Sequence, residues 1–144
     1  VKDYFINIGG KDRRLVYTAD DREAVERSFP YEGQPGNLRQ LMQRNGFFDS
    51  SGGGSFEVQA TILWAGLRHE SPTLSVMKVK GWIKEHLTAR RHIALLTAPA
   101  AAAVLEQGVL GYVVDISTLA EQEESGEGGK GPEPAAAVRP ADSL

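Results

Sequence analysis

A chain of 144 residues has room for one core, and a body of this size buries roughly two-thirds of its unfolded surface without staples. It contains no cysteine, which excludes a disulfide framework, a zinc ribbon and a thiol nucleophile. The formal charge of −3 is unevenly held: six acids against two bases in residues 121–144 put −4 there and leave +1 on residues 1–120, without the cationic surplus of a dedicated nucleic-acid binder.

In chain order, residues 3–8 and 13–18 are β-rich runs flanking Gly9-Gly10-Lys11-Asp12. Glycines supply the positive φ of a hairpin turn, so a β-hairpin is expected, and two strands alone need helices or a partner strand beneath them. Thr18-x-x-Asp21 reads as a capping box opening a helix that carries Val25 and Phe29 on one face and stops at Pro30. Residues 30–37 are a loop by composition. Asn37 can cap a second helix with Leu38, Leu41 and Met42 at i, i+3, i+4; Gly46 closes it, and Phe47 and Phe48 are expected to pack back on the core. Asp49 to Ser55 is a glycine-rich linker with no following Lys-Ser or Lys-Thr, so it is not a phosphate loop.

From Phe56 the pattern changes. Phe56, Ala60, Leu63 and Leu67 make one apolar stripe and Val58, Ile62 and Ala65 another, the mark of a central helix. Arg68 to Thr73 is a polar joint ended by Pro72. Thr73 or Ser75 caps the next helix, with Val76, Val79, Ile83 and Leu87 on one face. A further helix is expected to start near Ala89 and carry Ile93 and Leu96, with Pro99 breaking or kinking it before it resumes to Gly108. Val109 to Ile116 suits a strand or a helix. After Leu119 the chain becomes rich in Glu, Gly, Pro and Ala and cannot bury enough apolar surface to offset ordering. The expected organisation is an α+β domain over 1–120, a β-hairpin packed on a mainly helical body, and a disordered acidic tail over 121–144. The longest apolar run, Ala94 to Ala103, is far short of a membrane span. With no signal-peptide pattern at Val1 to Tyr4, a soluble intracellular protein is expected.

Catalytic and metal signatures are weak. His69, His86 and His92 never fall at i, i+4 from one another, and surface or capping roles suit them better than metal binding. Ser75-Val-Met-Lys78 matches a Ser-x-x-Lys pattern without its accompanying Lys-Thr-Gly element, and Gly126 to Lys130 is followed by Gly131 where a phosphate loop needs Ser or Thr. No catalytic, cofactor or metal residues are assigned. Arg13-Arg14 and Arg90-Arg91-His92 are basic patches that nucleic acid would use with Tyr17 or Trp82 as a stacking platform; solvated charge is the simpler reading. Trp64 and Trp82 fit core packing first and a partner anchor second.

The hairpin with Gly9-Gly-Lys-Asp-Arg-Arg-Leu15, the following helix, the run Ile62-Leu-Trp-Ala-Gly-Leu-Arg-His-Glu70 and a second Ser/Thr-started helix together resemble the tail assembly chaperones of long-tailed phages and gene transfer agents. The matching order covers residues 4–90, and Leu63 to Glu70 is its most specific part. The Gln34–Ser55 region departs from the pattern. The resemblance implies a small α+β protein that binds the helical tape measure protein, keeps it soluble and recruits tail tube protein, in some members through a longer form. It implies self-association and a place in the host cytoplasm but not in the mature virion. Leu63, Trp64, Leu67 and Trp82 would border the partner surface, and an exposed hairpin strand would pair between copies. Other readings of the residues are a head–tail connector or tail terminator, or a small nucleic-acid-binding module on Arg13, Arg90 and Arg91.

Overall fold

An antiparallel β-hairpin lies on a body of five helices in the computed structural model, which describes residues 2–49 and 53–113. The tail expected to be disordered lies outside the described residues, as do residues 50–52 of the glycine-rich linker. The elements are β1 (Tyr4–Ile8), β2 (Lys11–Leu15), α1 (Ala19–Ser28), α2 (Leu38–Arg44), α3 (Phe56–Leu67), α4 (Val76–Thr88) and α5 (Ala94–Glu106).

The hairpin is tighter than the sequence suggested. Gly9 and Gly10 both take positive φ, 63° and 85°, the requirement of a two-residue turn whose twist matches the flanking strands. Ile8 therefore pairs directly with Lys11, and Tyr4 with Leu15. Lys11 and Asp12 belong to the second strand, while Val16 to Thr18 do not. The chain leaves the sheet there because the Val16 N–H donates to Gly66 O at 2.9 Å and the Tyr17 N–H to Gln107 Oε1 at 2.7 Å. Ile6, Ile8 and Leu15 point inward and are buried; Phe5, Asn7, Asp12 and Arg14 face out.

Local capping sets most helix starts. Thr18 and Asp21 form the expected capping box, Asn37 accepts from Gln40 N–H, Ser55 from Val58 N–H and Ser75 from Lys78 N–H. Each such cap is worth about 1 kcal/mol. Phe47 packs into the core as expected, whereas Phe48 is exposed.

Helix α3 is the centre of the body, in contact with β2, α1, α4 and α5. Its residues from Val58 to Leu67 are buried except Trp64. Gly66 is where the hairpin exit meets it: a Cβ there would lie 2.5 Å from Tyr17 Cζ, so no larger residue fits beside the buried ring. On α4 the inward residues are Val79, Ile83 and His86. Leu87, expected on that face, is exposed, because the inward stripe steps from 79 to 83 to 86.

The segment after α4 departs most from expectation. No helix starts at Ala89. Arg90 takes φ 61°, its N–H donates to Leu87 O, and the Arg91 N–H reaches back to His86 O. That is a Schellman closure with arginine where glycine is usual. The next helix begins at Ala94, whose N–H donates to His92 Nδ1 at 2.9 Å. Pro99 does not break α5. The bond it removes is to the carbonyl of Leu95, a residue that is half-exposed, while Leu96, Ala100, Ala103 and Val104 hold the helix in the core. Gly108, at φ 75°, ends the helix as expected. Within the described residues the stretch from Val109 to Val113 is neither strand nor helix.

Candidate functional site

The joint between α3 and α4 gathers the residues that the sequence singled out. Asp21, at the third position of α1, is fully buried. Its Oδ2 accepts from the Thr18 N–H at 2.8 Å while its own N–H donates to Thr18 Oγ1 at 3.4 Å, which is the capping box. Oδ2 also accepts from the Thr18 hydroxyl at 3.0 Å. Its Oδ1 accepts from Arg68 Nε at 2.8 Å and Nη2 at 2.7 Å, and His69 Nε2 sits 2.5 Å from Oδ2. The start of α1 is thereby clamped to the end of α3. Arg68 also stacks on Trp64 at 4.7 Å, and the Trp64 indole N–H donates to Leu74 O at 2.8 Å. The Leu63–Glu70 run thus has intramolecular partners at nearly every position.

Beside the joint, a cleft of about 310 Å³ is lined by Arg13, Ser71, Thr73, Ser75, Lys78 and Trp82. Arg13 reaches it from β2: Nε donates to Ile8 O at 2.8 Å, Nη2 to Gly9 O at 3.1 Å, and the guanidinium lies 4.1 Å over the Trp82 ring. Gly9 rests on the same indole, and a Cβ there would come within 2.5 Å of it. The lining contains two cations and no acid. A second groove, of about 430 Å³, runs between the 30–37 loop and α2, with Phe29, Tyr31, Pro35, Leu41 and Val58 as its apolar walls and Arg44 at its edge.

The sequence-assigned partner residues divide. Leu63 is 0% and Leu67 2% exposed, so these two side chains do not border a partner surface. A helix packed against neighbours on several sides has no room for a groove along its stripes. Trp64 and Trp82 are half-buried, and both lie at the joint. Tyr17 is buried, so it offers no stacking platform to a base. Arg14 pairs with Asp3 at 3.2 Å on the outer face of the hairpin. Among the histidines, His69 holds Asp21, His86 Nε2 contacts His92 O at 2.9 Å, and His92 caps α5. Among the described residues no group of three His, Cys, Asp or Glu is placed to hold a metal ion. The same residues include no helix long and apolar enough to cross a membrane.

Sequence reasoning missed two features. Asp21 was legible as a cap, but its Arg68 and His69 partners lie 47 and 48 positions away. Gly81 was passed over: it sits in the middle of α4, exposed, with nothing within 4 Å of where a Cβ would be. Glycine in an exposed helix interior costs about 1 kcal/mol relative to alanine. Gly81→Ala should therefore raise the thermal midpoint with a gain of about 0.5–1 kcal/mol, read by calorimetry; a lower midpoint would mean that this chain needs the glycine.

Burial, reinforced by the Asp21 carboxylate, lifts the Tyr17 phenol far above its ordinary 10.0. The folded chain then keeps a proton that the unfolded chain releases above that pH. The contribution is whole below about pH 10 and falls above it by about 1.4 kcal/mol per pH unit for one group. Urea titrations at alkaline pH should show this limb, and Tyr17→Phe should flatten it. An identical slope in the variant would assign the limb to another group.

Compared with protein-family models, curated proteins and solved structures, the chain gives no match.

Proposed function

We propose that the protein is a tail assembly chaperone that binds the tape measure protein and keeps it soluble during tail morphogenesis, by contact and without chemistry. The observation that carries this reading is the α3–α4 joint. Two half-buried tryptophans, each stacked by an arginine, lie at it: Trp82 lines an open cationic cleft, and Trp64 donates to the Leu74 carbonyl beside it. Aromatic and arginine side chains of this kind are the usual anchors of protein recognition. The order of segments over residues 4–90, with the run Ile62 to Glu70 in it, supports the family. A ruler-like helical partner needs many modest contacts rather than one deep pocket, and shallow clefts with scattered exposed apolar side chains such as Met77 and Tyr31 suit that need. In this reading the chaperone self-associates along the partner, contacts the tail tube protein through a longer form, acts in the host cytoplasm and leaves before the virion is complete.

The test is co-expression with the tape measure protein of the same gene cluster. The expected result is tape measure that is soluble only with this chain and elutes with it as a large complex. Insoluble tape measure and no co-purification would overturn the reading, and the protein would then be sought in purified particles as a connector or terminator.

A further inference from the structure

Five Lys and Arg side chains among the described residues pair with carboxylates. Arg14 pairs with Asp3, Arg22 with Glu26, Arg27 with Glu23, Arg68 with Asp21 and Lys80 with Glu57. Arg13 and Lys78 are among the others, as are Lys84, Arg90 and Arg91, but the first two share a site. They line one cleft together, and among the described residues neither has a carboxylate partner. The cleft opens at the first turn of α4. There Ser75 already caps the Lys78 N–H, and the hydroxyls of Ser71 and Thr73 line the wall. Among the described residues the lining of this site carries positive charge and no acid.

The outer face of α4 adjoins this cleft. Met77, next to Lys78, is 74% exposed. One turn on, at i+4 from Met77, is Gly81, and at i+4 from Lys78 is Trp82. Among the described residues Gly81 makes no contact that a larger residue would break, so they give no reason for a residue that weakens the helix. A glycine facing outward does have a use if another backbone comes close: helix axes can then approach to about 8 Å, the near end of the usual range. Exposed methionine beside it supplies an adaptable apolar contact.

We propose that this face, Met77 and Gly81 with Lys78 and Arg13 beside them, docks an acidic amphipathic helix of the partner polypeptide. The partner's apolar stripe lies over Met77 and Gly81, and its carboxylates meet Lys78 and the free edge of Arg13. The proposal rests on the chaperone reading for the partner's identity, but its chemistry is tested separately. Nucleic acid fits the same charges less well, because Trp82 is already occupied by Arg13 and by Gly9 and the remaining stacking candidate, Tyr17, is buried.

The experiment is a titration of the isotope-labelled full chain with three probes. The first is a synthetic amphipathic helix of about 20 residues, ~30 Å long, with a leucine and alanine stripe flanked by glutamates. The second is the same peptide with lysines for glutamates, and the third is single-stranded oligo-dT. The expected result is that only the glutamate peptide binds, shifting the amides of residues 76–82 and the Trp82 indole signal. Gly81→Leu, which adds bulk on an open helix face without a core cost, should weaken it about tenfold or more while the thermal midpoint does not fall. Lys78→Glu should invert the preference toward the lysine peptide. Arg13 is left in place because it also holds the hairpin turn. Binding of either control to the wild-type chain as tight as the glutamate peptide, no binding at all, or binding indifferent to both substitutions would overturn the proposal. So would a dimer in sedimentation that Gly81→Leu dissolves, which would make this face an interface between copies. If the tape measure still co-purifies with both variants, this docking face falls and the chaperone reading stands. If it fails to co-purify with the wild-type chain, the chaperone reading falls and the peptide data decide the face alone.

Discussion

Asp21→Ala should lower the stability of the protein by about 3–4 kcal/mol, measured as a shift of the urea midpoint at constant slope. The carboxylate has no exposed surface, yet it is held by Thr18, by both contacting nitrogens of Arg68 and by His69. Removing it deletes the capping box, worth about 1 kcal/mol. It also strands a guanidinium whose position was set by that carboxylate. The full penalty for breaking a buried ion pair reaches about 5 kcal/mol, but Arg68 and His69 are roughly a third exposed and can regain water, which argues for the lower part of the range. Asp21→Asn keeps the shape and one acceptor without the charge, so it should fall between alanine and wild type. A loss below about 1 kcal/mol for alanine, no more than one ordinary hydrogen bond, would mean that the clamp contributes little and that α1 is held mainly by Val25 and by the bonds of Glu26 and Arg22.

The clamp also shows where sequence reasoning reached and where it stopped. Thr18–Asp21, Asn37 and Ser75 were legible because a cap is a local event: the side chain and the N–H it satisfies lie within three residues. The α+β architecture followed from the same local signals plus periodicity, and the structure has it. The strand start at Lys11 was missed because glycine and polar residues mark a turn without fixing its length; pairing of Ile8 with Lys11 settles it at two residues. The turn after α4 was hidden by chemistry. A Schellman closure usually announces itself with glycine, and here Arg90 takes the left-handed conformation instead, so α5 was expected about five residues early. Pro99 was expected to break or kink the helix, and α5 runs through it without a break; how a helix meets an interior proline depends on the packing around it, which a sequence does not state. The cleft was out of reach because Arg13 comes to it from a strand some sixty residues before Ser75 and Lys78.

Leu63→Ala is expected to cost about 3–5 kcal/mol, which is a large part of the 5–15 kcal/mol that typically holds a domain together. Leu63 is among the largest fully buried side chains, on the helix that touches β2, α1, α4 and α5. A void there borders several elements that cannot all close on it. The sequence offered two readings of this residue that exclude each other: a helix apolar on several faces is central, and a residue bordering a partner groove is not. The first one holds, for Leu67 as for Leu63. Under the proposed function, loss of partner binding in Leu63→Ala would accordingly come with a lowered thermal midpoint and report an unfolded chain, not a missing contact. Gly81→Leu is the opposite case, with binding lost and the fold kept. Measuring both properties on both variants separates core from surface. If Leu63→Ala keeps the wild-type midpoint and loses only the partner, the side chain is accessible to that partner, and the central position of α3 is wrong for the protein in solution.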